Sequence, residues 1–129
     1  MRVAVDICNT LCDVYSLLRA RFAVPEEYQE YDMAPFGATP EFFAGPEGLA
    51  LFLAAQPYPG AARVLNWFAE CGWSLVYVTS RPPEAHFVTR RWLAMHGFPR
   101  AAVVHRADKH SLVGKFDFFI EDDPRQIRI

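Results

Sequence analysis

Long apolar runs are missing from this chain. No stretch approaches the ~18–20 residues needed to span a bilayer, so no membrane span is expected. Cysteine is scarce: Cys8, Cys12 and Cys71 are an odd number with no C-x-x-C pair. That argues against a disulfide framework and a zinc ribbon, and free thiols suit a reducing compartment, which makes the cytoplasm the expected location. Basic tails, arms and stripes are also lacking, and the formal net charge is −2. The electrostatic footprint of a nucleic-acid polymer is therefore absent, although a single nucleotide is not excluded. The N-terminus enters a strand-like segment directly, without the charged lead-in, apolar stretch and cleavage site of a signal peptide. Repeats and low-complexity tracts are absent as well.

What is present suits one globular domain. The chain has 129 residues, 52% of them apolar, which is enough to build a core. Val3 to Ile7 reads as a buried strand with polar Asp6, Asn9 and Thr10 at or just past its end. Asp13 to about Ala23 carries Val14, Leu17, Leu18 and Phe22 at helical spacing, with Asp13 as a cap. Thr39-Pro40-Glu41 starts another helix, and Gly45-Pro46 stops it and begins a third, which runs to about Ala55.

After the break at Pro57-Tyr58-Pro59-Gly60, helices and strands alternate. A helix with Ala61, Val64, Leu65 and Phe68 ends at Gly72, followed by a strand over Trp73 to Thr79. A second helix presents Val88, Trp92 and Met95 on one face, and a strand over Ala101 to His105 follows. A short helix over 109–113 and a strand over Phe116 to Ile120 complete the pattern. Such βα units predict a parallel sheet with helices on both faces. Ligands bind such sheets outside the carboxyl ends of the strands, and Asp6, Thr79-Ser80 and Glu121-Asp122-Asp123 gather there. Residues 13–57 read as a helical cap inserted after the first strand, and residues 1–12 and 58–129 as the α/β core.

These strand ends carry what a phosphate monoester site needs. A carboxylate can attack phosphorus and form an aspartyl-phosphate. Hydroxyl and amide donors can hold phosphoryl oxygens, and a lysine can neutralise them. Two carboxylates beside a dianion need a cation, and magnesium, which takes oxygen ligands, is the natural one. Asp6, Thr79-Ser80, Lys109 and Glu121-Asp122-Asp123 supply those parts in chain order.

The segment V-A-V-D-I-C-N-T-L resembles the first motif of the haloacid dehalogenase-like (HAD) superfamily, an apolar strand ending in D-x-D-x-T. L-V-Y-V-T-S-R-P resembles the second, H-R-A-D-K-H-S-L-V carries the lysine of the third, and F-D-F-F-I-E-D-D-P resembles the acidic fourth. The style is that of the cytosolic 5′(3′)-deoxyribonucleotidase-like group. The resemblance implies a three-layer, Rossmann-like parallel sheet with a small cap, C-terminally short because the chain stops soon after the fourth motif. It implies a magnesium-dependent phosphomonoester hydrolase acting on a small phosphorylated substrate, with a nucleotidase as the narrower expectation. Asp6 would be nucleophile and metal ligand, and Cys8 would give the metal its backbone carbonyl. Thr79, Ser80, Arg81 and Lys109 would bind substrate, and Asp122 would be the main acidic metal ligand, supported by Glu121 or Asp123.

The family's second aspartate, its general acid and base, is Cys8 here. A thiol with an ordinary pKa near ~8.5 replaces a carboxylic acid poorly, so weak turnover is expected. The rival expectation is a catalytically impaired domain that binds a phosphorylated ligand or partner. A receiver-like phosphoacceptor is disfavoured because here the acidic cluster comes last. Oligomeric state is left open, and an uncovered strand edge would favour a homo-oligomer.

Overall fold

The computed structural model describes residues 1–30, 32–112 and 114–122. Its centre is a four-stranded, all-parallel sheet in the order β3-β2-β1-β4. The strands are β1 (Arg2–Val5), β2 (Ser74–Thr79), β3 (Ala102–His105) and β4 (Phe118–Ile120). The helices are α1 (Tyr15–Arg21), α2 (Pro40–Ala44), α3 (Pro46–Ala54), α4 (Ala61–Glu70) and α5 (His86–Met95). Positions 31 and 113 and residues 123–129 lie outside the described residues, and with them the expected metal ligand Asp123.

β1 is the interior strand that sets the site. Val3, Ala4 and Val5 are fully buried, as a parallel strand covered on both faces requires. Its register pairs Val5 with Tyr77 of β2 and with Ile120 of β4. Two distant segments are thereby brought to the same rim.

The steps from β1 to β2 and from β2 to β3 run in one direction across the sheet. Right-handed crossovers then put α4 and α5 on one face, and burial agrees. Leu65, Trp92 and Leu93 join Val3, Val5, Leu75 and Tyr77 in one large cluster, together with Leu18 of α1 and Phe52 of α3. The alternate residues Ala4 and Val78 form a smaller cluster with Leu112.

The expected helices on both faces are thus corrected. Among the described residues, the second face carries one 3-10 turn, His110–Leu112, in place of a helix over 109–113. The segment between β3 and β4 is too short to cross the sheet and also build a long helix. The face of α5 also differs from its apolar pattern. Thr89, Trp92 and Leu93 point inward, whereas Met95 is 58% exposed. Trp92 anchors that face by donating Nε1–H to the Ala55 carbonyl at 2.8 Å.

The cap signals behave as their chemistry dictates. Thr39 Oγ1 accepts from Phe42 N at 3.3 Å at the start of α2, and Asp13 Oδ1 accepts from Ser16 N at 2.9 Å. The more extensive cap on α1 is Asn9, whose amide oxygen accepts from Val14 N (3.1 Å) and Tyr15 N (2.7 Å). Asn9 reaches them from a left-handed backbone, φ 64°, which asparagine tolerates better than most residues. No helix among the described residues is long and apolar enough to cross a membrane.

Candidate active site

β1 ends by delivering Asp6 to the rim. The Asp6 N–H donates to the Ile120 carbonyl at 2.9 Å, which extends the β1–β4 pairing by one step. Its side chain faces a cavity of about 240 Å³ that Thr79, Ser80, Arg81, Lys109, Glu121 and Asp122 also line. The residues expected from sequence, apart from undescribed Asp123, converge on one cavity.

Lys109 is almost fully buried, and its ammonium meets two carboxylates: Asp6 Oδ1 at 2.5 Å and Glu121 Oε2 at 2.7 Å. The other oxygen of Asp6 accepts from Thr10 Oγ1 at 2.9 Å. The same hydroxyl lies 3.2 Å from Asp122 Oδ1 and accepts from the Asp122 N–H at 3.1 Å. A hydroxyl has one proton, so it donates to one carboxylate at a time. Thr10 was assigned no role from sequence. Its only sequence signal is its place in the strand-end motif.

The electrostatics follow from this crowding. Burial pushes the Asp6 carboxyl above its ordinary value, against the pull of Lys109. Burial and the neighbouring Asp6 raise Asp122 as well. Burial alone would lower Lys109, but the pairs with Asp6 and Glu121 outweigh it and hold the ammonium charged above its ordinary range.

The same cavity is lined by Arg81, which is 4% exposed. Its Nε donates to Cys8 Sγ at 3.1 Å, Nη1 to Thr89 Oγ1 at 3.0 Å, and Nη2 contacts Cys12 Sγ at 3.9 Å. The guanidinium also lies 4.1 Å from the centre of the Phe52 ring. Thr79 Oγ1 accepts from Arg81 N at 3.2 Å. Ser80 is exposed at the cavity mouth. Behind the loop, the Arg81 carbonyl lies 3.0 Å from His105 Nδ1, and His105 Nε2 lies 3.1 Å from His86 Nδ1. An acceptor-only carbonyl fixes the proton of His105 on Nδ1. The histidines follow no metal spacing, so sequence offered no signal for this chain.

The donor set can be tested against a divalent cation. Carboxylate oxygens of Asp6, Glu121 and Asp122 all lie within 4.8 Å of one another. Three carboxylates face one ammonium, and the two that share Thr10 are raised. All-oxygen donors with surplus negative charge are what a hard cation such as magnesium requires, so the residues present fit it.

A buried carboxylate–lysine centre thus stands at the carboxyl rim of a parallel α/β sheet. Residues 50–117 match the family model described as the LNS2 domain of PITM 1-3, and the chain belongs to that family. No curated protein sequence matches the chain significantly. Among solved structures, the chain is similar to one described as "Structure of Pnkp1/Rnl/Hen1 complex", with a TM-score of 0.56 and 15% identity. That match covers 98% of this chain and 40% of the solved chain, and it speaks for the fold alone.

The family match replaces the expected assignment to the haloacid dehalogenase-like deoxyribonucleotidase group. The physical reason is that T-S-R-P and I-E-D-D-P mark strand ends bearing hydroxyls and acids. Parallel sheets that handle phosphate share that requirement, so such signals do not discriminate between families.

Proposed function

We propose that this domain is a phosphomonoester hydrolase in which Asp6 is the nucleophile. The observation that supports it best is the meeting of Asp6 with Lys109 and with Asp122, through Thr10, inside one cavity. Asp6 must be ionised to attack, burial opposes ionisation, and Lys109 opposes burial. In the first step an Asp6 oxygen bonds to phosphorus while the bond to the leaving oxygen breaks, giving an aspartyl-phosphate. Water then cleaves the acyl phosphate and restores Asp6. Thr79 and Ser80 donate to phosphoryl oxygens, and Arg81 binds substrate within the same cavity.

Asp6 and Asp122 would hold magnesium, with the Cys8 backbone carbonyl beside them and Glu121 or Asp123 in support. When bound, the ion neutralises phosphoryl charge and orients the reactants. Residues 13–57 act as the cap, since Val14, Leu18, Phe43 and Phe52 wall the cavity. The three free thiols favour a reducing compartment such as the cytoplasm.

Cys8 limits the rate. Burial pushes its thiol up despite the Arg81 guanidinium, so it is a weak acid for the leaving group. Loss of an acid/base residue typically costs about 10²–10⁴-fold. A second reading, a domain that binds a phosphorylated ligand without turnover, draws on the same contact, because Arg81 holds the Cys8 sulfur in place.

p-Nitrophenyl phosphate with magnesium separates the two, since its leaving group needs little protonation. Hydrolysis abolished by Asp6→Asn and raised by Cys8→Asp supports the enzyme. No hydrolysis by the wild type or by Cys8→Asp leaves the binding reading.

A further inference from the structure

Two buried cations line this cavity, and the chain treats them differently. Lys109 is neutralised by its own protein, through Asp6 and Glu121. Arg81 is not. The ion pairs among the described residues are Arg21–Glu47, Lys109–Asp6 and Lys109–Glu121, and none involves Arg81. Its acceptors are two cysteine sulfurs and a threonine hydroxyl, and its face rests on an aromatic ring.

A guanidinium carries five N–H donors, and thiols are weak acceptors. A nearly fully buried guanidinium without a counter-anion is costly. Hydrophobic packing alone does not call for an arginine at this position, whereas an incoming anion does. Planar forks of this kind match carboxylates and phosphates with two parallel hydrogen bonds.

Arg81 and Asp6 line the same cavity but share no contact partner among the described residues. Asp6 is held by Lys109 and Thr10, whereas Arg81 is held by Cys8, Thr89, Cys12 and the Phe52 ring. Val14, Leu18, Phe43 and Phe52 supply the apolar part of the lining. At about 240 Å³, the space lies below the range of typical drug-sized ligand sites, which favours a short carbon frame.

We infer that the substrate is a small phosphomonoester bearing a second anionic group, a carboxylate or a second phosphate, which Arg81 holds while the phosphoryl group meets Asp6. The inference rests on reading the cavity as a phosphomonoester site. It adds that the leaving group is itself charged.

The test compares matched ligands on the whole chain in excess magnesium. Methylphosphonate, phosphonoacetate and methylenediphosphonate share a phosphonate and differ in the second group. Calorimetric titration should give the wild type an apparent Kd on the order of ten- to a hundredfold lower for a doubly anionic ligand than for methylphosphonate, the scale of a charge-assisted pair. Which of the two doubly anionic ligands gains more identifies carboxylate or phosphate. In Arg81→Met and Arg81→Lys the ratio should fall toward one for Met and partway for Lys. A turnover arm compares kcat/KM for phosphoglycolate with that for ethyl phosphate and expects the same preference, carried in KM.

Equal wild-type binding of all three phosphonates overturns the inference without needing a variant. So does a preference that survives intact in Arg81→Met. If neither ester is hydrolysed but the binding preference is present, the hydrolase reading fails and the two-anion ligand stands.

Discussion

Asp6 and Asp122, from opposite ends of the chain, meet at a single hydroxyl: Thr10 Oγ1 lies 2.9 Å from Asp6 Oδ2 and 3.2 Å from Asp122 Oδ1. One proton cannot satisfy both carboxylates, and both titrate above the ordinary value of 3.8. A group whose folded pKa is raised stabilises the fold below its unfolded pKa. That stability is lost as pH rises through the folded value. The metal-free protein therefore carries a penalty that grows from about pH 3.8 toward neutrality.

Asp122→Asn should relieve the penalty while keeping an oxygen for Thr10. Thermal melts in chelator should show the variant gaining on the wild type as pH rises across that window. Magnesium should stabilise the wild type more at neutral than at acid pH and leave Asp122→Asn largely unmoved. A wild type indifferent to magnesium at all pH values would remove the cation from this site.

Lys109 is 2% exposed and neutralises two buried carboxylates. Breaking a buried pair from one side leaves charge without compensation, at about 3–5 kcal/mol. Lys109→Met should lose about that much stability in urea. Adding Glu121→Gln should recover part of it, since one of the two orphaned charges is then gone. Losses that simply add would mean that the two residues are not coupled. The pair is also pH-robust: Lys109 is held above its ordinary 10.5, so its contribution is full at neutral pH and is lost only in strong alkali.

Much of this was legible from sequence because the signals are local. An apolar run ending in Asp6, a Thr39-Pro40 cap and the Gly45-Pro46 break each need only a few neighbouring residues to be read. Asp6, Thr79, Ser80, Glu121 and Asp122 line one cavity, and a sequence of parallel βα units already points strand-end polar groups to one rim. Contacts between distant segments stayed hidden. Thr10 acquires its role only when β4 brings Asp122 beside it, and Arg81 only when Cys8, Thr89 and Phe52 surround it. Asn9 looked like one more polar residue, because its left-handed backbone has no signature of its own. The α5 face departs from its apolar pattern because Thr89 counts as polar, yet Arg81 satisfies its hydroxyl, while apolar Met95 is exposed. Family identity was hidden for a different reason: the motifs report phosphate chemistry, which more than one family shares.

Gly48 offers a test of packing against propensity. It sits in the first turn of α3, where Gly→Ala ordinarily gains about 1 kcal/mol of helix stability. Here an added Cβ would lie 2.2 Å from the Phe42 carbonyl oxygen and 2.7 Å from the Phe43 Cα, both backbone atoms. Backbone cannot swing aside as a side chain does, and overpacking costs about 1–3 kcal/mol or more. Gly48→Ala should therefore destabilise by about 1 kcal/mol or more, measured by denaturant melts. A stabilised variant would mean that α2 and α3 approach less closely.

The three thiols should separate cleanly in reactivity, because the thiolate is the reactive species. Cys71 is exposed, whereas Cys12 is fully buried and pushed up to about 12 by burial and by neighbouring Cys8. At about pH 8, a thiol of that pKa is only about one part in ten thousand thiolate. Iodoacetamide followed by peptide mass spectrometry should label Cys71 first and leave Cys12 unmodified until the protein is denatured. Cys8 should fall between them in access, since it borders the cavity, but burial also raises its thiol. Arg81 partly offsets that rise, so Arg81→Met should slow Cys8 labelling if the fold holds. Faster labelling of Cys8 in Arg81→Met would indicate that the arginine acts mainly as a steric cover. Cys12 labelled as fast as Cys71 in the native protein would contradict the packing of the loop that carries Asp6, Cys8 and Thr10 into the site.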